Sequence, residues 1–165
     1  MYSFIHVKSL FLLLIPGWLT YTSQTGKFSM QYPKEWSPKA QNNAILFLSP
    51  KADAQDQFQE NVNIILQDLS SQPMTLEQYT DMSKQQLIQA FGAKAVLSQG
   101  ATTIAGQKAQ YMVYSFTYQG RSLKIKGVWF IKGKTAYLLT YTAEPSQYAK
   151  YEQTATAIIN SFSFN

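Results

Sequence analysis

Cysteine is absent from this chain, and histidine occurs once, as His6. The first absence removes disulfides, thiolate nucleophiles, cysteine zinc sites and the lipid anchor of a lipoprotein. It leaves the redox compartment open. The second leaves a Ser–His–Asp arrangement without a base anywhere after residue 6. No GxSxG, P-loop or GxGxxG pattern occurs either. Charge is sparse at 14% of residues, and no apolar run approaches the ~20 residues of a membrane-spanning helix. Acids are missing from two long stretches, before Glu35 and between Asp81 and Glu144. What is abundant is aromatic, at 15% of a 165-residue chain. That composition belongs to a sheet-rich folded domain rather than to a disordered chain, and the length suits one domain.

The start differs from the rest. "MYSFIHVKSLFLLLIPGW" carries one basic residue, Lys8, then an apolar run from Leu10 to Ile15, then the polar "TYTSQT". This order reads as an export signal or N-terminal anchor over residues 1–24, with Thr20-x-Thr22 as a poor cleavage match. The alternative is a buried N-terminal strand or helix. A single domain is then expected over 25–165.

From Phe28 the pattern has period two. "FSMQY", "AILFLS" and "NVNIILQDL" read as strands, with the polar "PKADAQDQFQE" as a surface loop. Pro33 is expected to end the first ladder and Trp36 to pack over a helix or sheet end. Residues 75–91 change to helical period, with Thr75 as N-cap and Gly92 as stop. Strands are expected again within 95–105, 106–120, 121–134 and 135–143, joined by compact turns at Gln119-Gly120 and Lys132-Gly133-Lys134. A second helix, opened by Glu144-Pro145, runs to Phe162. About seven strands and two long helices give an α+β domain with a twisted, mainly antiparallel sheet.

Sites for chemistry are few, and none is catalytic. Asp53, Asp56 and Glu60 cluster in one loop and are the candidates for a metal such as Ca²⁺. They lack the glycine and ligand period of an EF-hand, so a solvated acidic loop is the plainer reading. The sharper signal is basic. Arg121, Lys124, Lys126, Lys132 and Lys134 lie on the last hairpins, in the acid-free stretch. Alternation places Lys124 and Lys126 on the same face as Val128 and Phe130, opposite Leu123, Ile125, Trp129 and Ile131. Such a patch would steer an acidic protein surface or an anionic membrane toward the sheet. Its plain alternative is a sheet edge kept soluble by lysines. Nucleic acid finds no motif. The many tyrosines and phenylalanines are read first as core and cross-strand pairs, with a small-molecule pocket between sheet and helices as the alternative.

The order of certain segments resembles the PsbP-like family. "FSMQYPKEW", "ILFLSP", "NVNIILQDL", "TLEQYTDMSKQQL", "TIAGQKAQYMVYSF" and "AYLLTYTAEPSQYAKYEQTATAIINSFSF" follow one another as in those domains, over residues 27–164. The resemblance implies an α/β/α sandwich around a central antiparallel sheet of six or seven strands. It implies a non-enzymatic, monomeric protein in the periplasm or thylakoid lumen, associated with a membrane complex. In the family's extrinsic subunits that complex is photosystem II, where they help retain Ca²⁺ and Cl⁻. This chain departs from them by lacking an extended docking arm, any histidine after His6, and a lipidated cysteine. The resemblance therefore transfers no functional residue. The alternative is an envelope protein whose pocket takes a small apolar ligand, a lipid or a metal ion.

Overall fold

The computed structural model describes residues 15–165. Ten strands and two long helices follow in the order β1 (Trp18–Ser23), β2 (Phe28–Pro33), β3 (Ser37–Gln41), β4 (Ala44–Leu48), β5 (Asn61–Asp68), α1 (Leu76–Phe91), β6 (Val96–Ile104), β7 (Gln107–Tyr118), β8 (Arg121–Lys132), β9 (Thr135–Ala143), α2 (Pro145–Asn160) and β10 (Ser163–Phe164). Seven strands form one sheet in the order β3-β4-β5-β9-β8-β7-β6. Each neighbouring pair in it is antiparallel.

Local chemistry explains the punctuation. Thr75 Oγ1 accepts the Gln78 N–H at 3.2 Å, and Gln78 Oε1 accepts the Thr75 N–H at 2.9 Å. This reciprocal box starts α1. Pro145 in the first turn of α2 carries no N–H to waste. The β7–β8 turn holds Gln119 at φ 50° and Gly120 at φ 78°, the paired left-handed geometry that matches strand twist.

The two faces of the large sheet are covered differently. Along β8, Val128 and Phe130 enter one cluster, with Phe47, Val62, Leu139 and Ile158. Trp129 enters another, with Tyr79, Met112 and Ala136. The first lies under α2 and the second under α1, so the period-two alternation becomes an α/β/α sandwich. On the α1 side, the Trp129 Nε1–H donates to Thr80 Oγ1 at 2.9 Å and the Tyr79 hydroxyl donates to Gln67 Oε1 at 2.8 Å. These bonds fix the helix over the sheet without leaving buried donors unpaired.

Three findings depart from the sequence reading. First, "FSMQYP" is not a strand of the large sheet. It is the centre of a separate three-stranded sheet, β1-β2-β10, that shares the α2 side of the molecule. All six of its residues are buried, and its ladder runs through Pro33, opposite Trp18. Second, the fold extends upstream of residue 25. Trp18–Ser23 pairs with Phe28–Pro33 residue for residue, so this part is a strand, though of its residues only Ser23 is buried. A cut at Thr20-x-Thr22 would sever β1. The remainder of the expected signal, residues 1–14, lies outside the described residues. Third, Ser37–Gln41 is a strand although Pro38 interrupts its donors and all its residues are exposed. It sits at the sheet edge, where a missing N–H costs least. Trp36 does pack over a helix: it is buried and meets Tyr151 of α2 edge-on, with ring centroids 5.9 Å apart.

Candidate functional site

Strand β8 carries the basic candidates, and its length divides them. Arg121 and Lys132 stand at its two ends, about 35 Å apart at the rise of an extended strand. They therefore cannot form one patch.

At the first end Arg121 and Lys124 are occupied by the protein itself, while Lys126 has one weak partner. Arg121 forms an ion pair with Glu144 at 3.6 Å, and its guanidinium lies over the Phe58 ring at 5.0 Å. Phe58 belongs to the loop after β4, so Arg121 ties that loop to the β7–β8 hairpin. Lys124 lies over the Tyr148 ring at 4.0 Å, and Lys126 Nζ meets Thr156 Oγ1 at 3.4 Å. Both lysines thus run along α2, on the face that alternation assigns them. Beneath them, burial pushes the Tyr148 hydroxyl up to about 12, with Glu152 adding to the effect. The Tyr141 hydroxyl is raised too, by burial first and by Glu60 next, and it donates to the Tyr148 carbonyl at 2.9 Å. These are packed tyrosines that keep their protons.

The acidic loop lines a cavity of about 400 Å³ together with Arg121, Glu144, Gln147 and Tyr151. Its carboxylates serve the loop's own backbone. Asp56 accepts the N–H of Ala52 at 2.9 Å and of Phe58 at 3.0 Å, and Asp53 accepts the N–H of Gln55 at 2.8 Å. Those bonds hold the Asp56 carboxyl below its ordinary value. Glu60 is buried against Ser49, 3.5 Å from its hydroxyl, with its other oxygen unpartnered. Among the described residues no group of three or more such ligands is placed to hold a metal ion. A Ca²⁺ site needs six to eight oxygens turned inward, and Asp53, Asp56 and Glu60 do not supply that set.

The other end of β8 is different. Lys132 and Lys134 are exposed on either side of Gly133, which takes φ 61° in the β8–β9 turn. Lys132 Nζ rests over the Phe164 ring at 3.4 Å. Phe164 pairs with Phe28, and the Asn165 N–H donates to the Lys27 carbonyl at 3.1 Å. Exposed Lys27 therefore joins the same corner, a neighbour that sequence distance conceals. Exposed Lys108 sits at the same end of the neighbouring strand β7, just after the β6–β7 turn. Among the described residues the one ion pair is Arg121–Glu144, so none of these four lysines is bridged to a carboxylate. Two acids lie nearby: the Asp68 carboxyl is lowered by Ser70 first and by Lys134 last, and the Glu77 carboxyl by its own and Thr75's hydrogen bonds first and by Lys108 last.

A family model, PsbP, matches residues 16–164 of the chain. No curated protein sequence is similar enough to count as a match. Among solved structures, the cyanobacterial PsbP (CyanoP) of Synechocystis sp. PCC 6803 superposes with a TM-score of 0.63 at 11% identity, covering 93% of this chain and 95% of that one. A Pseudomonas aeruginosa protein of unknown function, PA94, described as a putative regulator, gives 0.63 at 15% identity over 87% and 94%. LpqN of Mycobacterium tuberculosis, described as involved in cell envelope biogenesis, gives 0.60 at 15% identity over 84% and 83%. At such identities the likeness concerns the fold.

Proposed function

Because the chain belongs to the PsbP family, we propose that it is a non-catalytic, exported accessory protein. It docks through the basic end of its sheet onto an acidic face of a membrane complex. The observation that carries this reading is the gathering of exposed Lys27, Lys108, Lys132 and Lys134 at one end, none of them bridged to a carboxylate among the described residues. Charges half-buried or bridged within a protein contribute little to a partner; exposed, unbridged ones raise the encounter rate and set orientation. In a photosynthetic source the complex is photosystem II at the lumenal membrane surface. In another source it is an acidic complex of the envelope. An export leader compatible with this fold ends before Trp18, where β1 begins. No helix among the described residues is long and apolar enough to cross a membrane.

The test is co-purification with membranes of the source organism. The wild-type chain is expected to associate at low salt. The double reversal Lys132→Glu and Lys134→Glu is expected to weaken association, with the gap closing as salt screens the interaction. Equal retention of both proteins would overturn the reading. Binding to protein-free anionic vesicles with the same loss would make lipid, not a protein complex, the acidic surface.

A further inference from the structure

A second cavity, of about 450 Å³, opens between α2 and strands β6–β8. Its wall includes Ile104, Tyr111, Val128 and Ile159, and two opposite charges, Lys126 and Glu152. Its volume lies in the range of small-molecule sites, about 300–1,000 Å³. The apolar wall and the lysine together give it a chemical preference.

Lys126 is half-buried on β8. Its ammonium meets one hydroxyl, Thr156 Oγ1, at the long distance of 3.4 Å. No carboxylate of the described residues reaches it, since the one ion pair there is Arg121–Glu144. An ammonium with one weak partner, on a half-buried lysine, retains donors that an anion can take up. Glu152 also lines the cavity; it is exposed on α2 and forms no ion pair with the lysine.

The shape of the cavity depends on a glycine. Gly100 sits in the interior of β6 opposite Tyr111. A Cβ there would stand 2.9 Å from the Tyr111 ring and 3.0 Å from its hydroxyl. The missing side chain lets Tyr111 lie back across β6. A glycine inside a strand weakens the strand, and here it makes room for the ring that walls the cavity.

We propose that this cavity binds a small organic monocarboxylate with an apolar body. The carboxylate accepts hydrogen bonds from the Lys126 ammonium, and the body covers Ile104, Val128, Ile159 and the Tyr111 ring. Glu152, the acid in the lining, repels a second negative charge, so a dicarboxylate is disfavoured. This site is independent of the docking end, because Lys126 lies well along β8 from Lys132 and Lys134.

The experiment is an amide NMR titration of the full chain at constant ionic strength, with benzoate, octanoate, succinate and benzyl alcohol as probes. Benzoate or octanoate is expected to give saturable shifts at Ile104, Tyr111 and Thr156, with a Kd on the order of 10 mM or tighter for so small a ligand. Benzyl alcohol and succinate are expected to bind about tenfold more weakly, the value of one charge-assisted contact. Lys126→Met keeps the stem and should bring the carboxylates down to the benzyl alcohol level. Gly100→Ala, which presses the Tyr111 ring toward the cavity, should weaken both benzoate and benzyl alcohol. The wild-type comparison stands even if a variant misfolds. Absence of saturable shifts up to about 50 mM, or equal affinity for benzoate and benzyl alcohol, would overturn the assignment. So would unchanged benzoate binding in a folded Lys126→Met protein.

Discussion

The two ends of strand β8 carry the same kind of side chain and expose it differently. At the Arg121 end the cations hold the protein together. Arg121 bridges Glu144 and covers Phe58, and Lys124 covers Tyr148. At the Lys132 end, apolar packing holds the protein together. Phe164 stands edge-on to Phe130, Tyr137 and Phe162, with centroids 6.0, 5.6 and 5.1 Å away. Lys132 also covers a ring, that of Phe164, but both it and Lys134 are exposed and unbridged to any carboxylate of the described residues. A basic residue is available to a partner only where something else stabilises its surroundings. A count of lysines along the sequence cannot make that distinction.

The contrast can be broken first at its apolar base. Phe162 is buried among Phe28, Phe130, Tyr137 and Phe164. Phe162→Ala should cost about 3–5 kcal/mol in urea denaturation, as for other large-to-small core changes. A cost under about 1 kcal/mol would mean that the basic end is not held by this cluster.

Next in size is Arg121→Met, which keeps the apolar stem. It removes a part-exposed ion pair and a cation–π contact, so a loss of about 1 kcal/mol or less is expected. The same denaturation series should show Lys134→Met within about 0.5 kcal/mol of wild type. If the two substitutions cost the same, the ends do not differ in the way described.

The smallest effect concerns pH. The Asp56 carboxyl sits below its ordinary value of 3.8 because the N–H groups of Ala52 and Phe58 bind its ionised form. A lowered folded value means the stabilisation is present above pH 3.8 and is lost as pH falls through the folded value. Amide exchange of Ala52 and Phe58 should therefore quicken below pH 3.8 before the rest of the chain responds. The turn after Lys132 should show no such early step. Simultaneous loss of protection across the molecule would contradict this.

Much of the fold was legible in the sequence because its signals are local. The Thr75 box, Pro145, the Gln119-Gly120 turn and the alternation along β8 each depend on a few neighbouring residues, and each stands as read. The misses are non-local. β1 resembles an export segment in composition and declares itself only through its pairing with β2. β3 contains Pro38 and no apolar alternation, and forms because β4 offers an edge. β10 is two residues long and exists through Phe28 and Ser29. The candidate site was half legible. Alternation put Lys124 and Lys126 on the correct face, but the sequence does not show that α2 lies across that face. Nor does it show that Lys27 joins Lys132, or that Gly100 and Tyr111 shape a cavity beside Lys126.

The most direct measurement compares charge changes at the two ends in one assay. Sedimentation with source membranes at low salt would be measured for wild type, for Lys132→Glu with Lys134→Glu, and for Arg121→Gln. The double reversal is expected to remain in the supernatant, while Arg121→Gln sediments as wild type does. If Arg121→Gln is released and the double reversal is retained, the docking surface lies at the other end of β8.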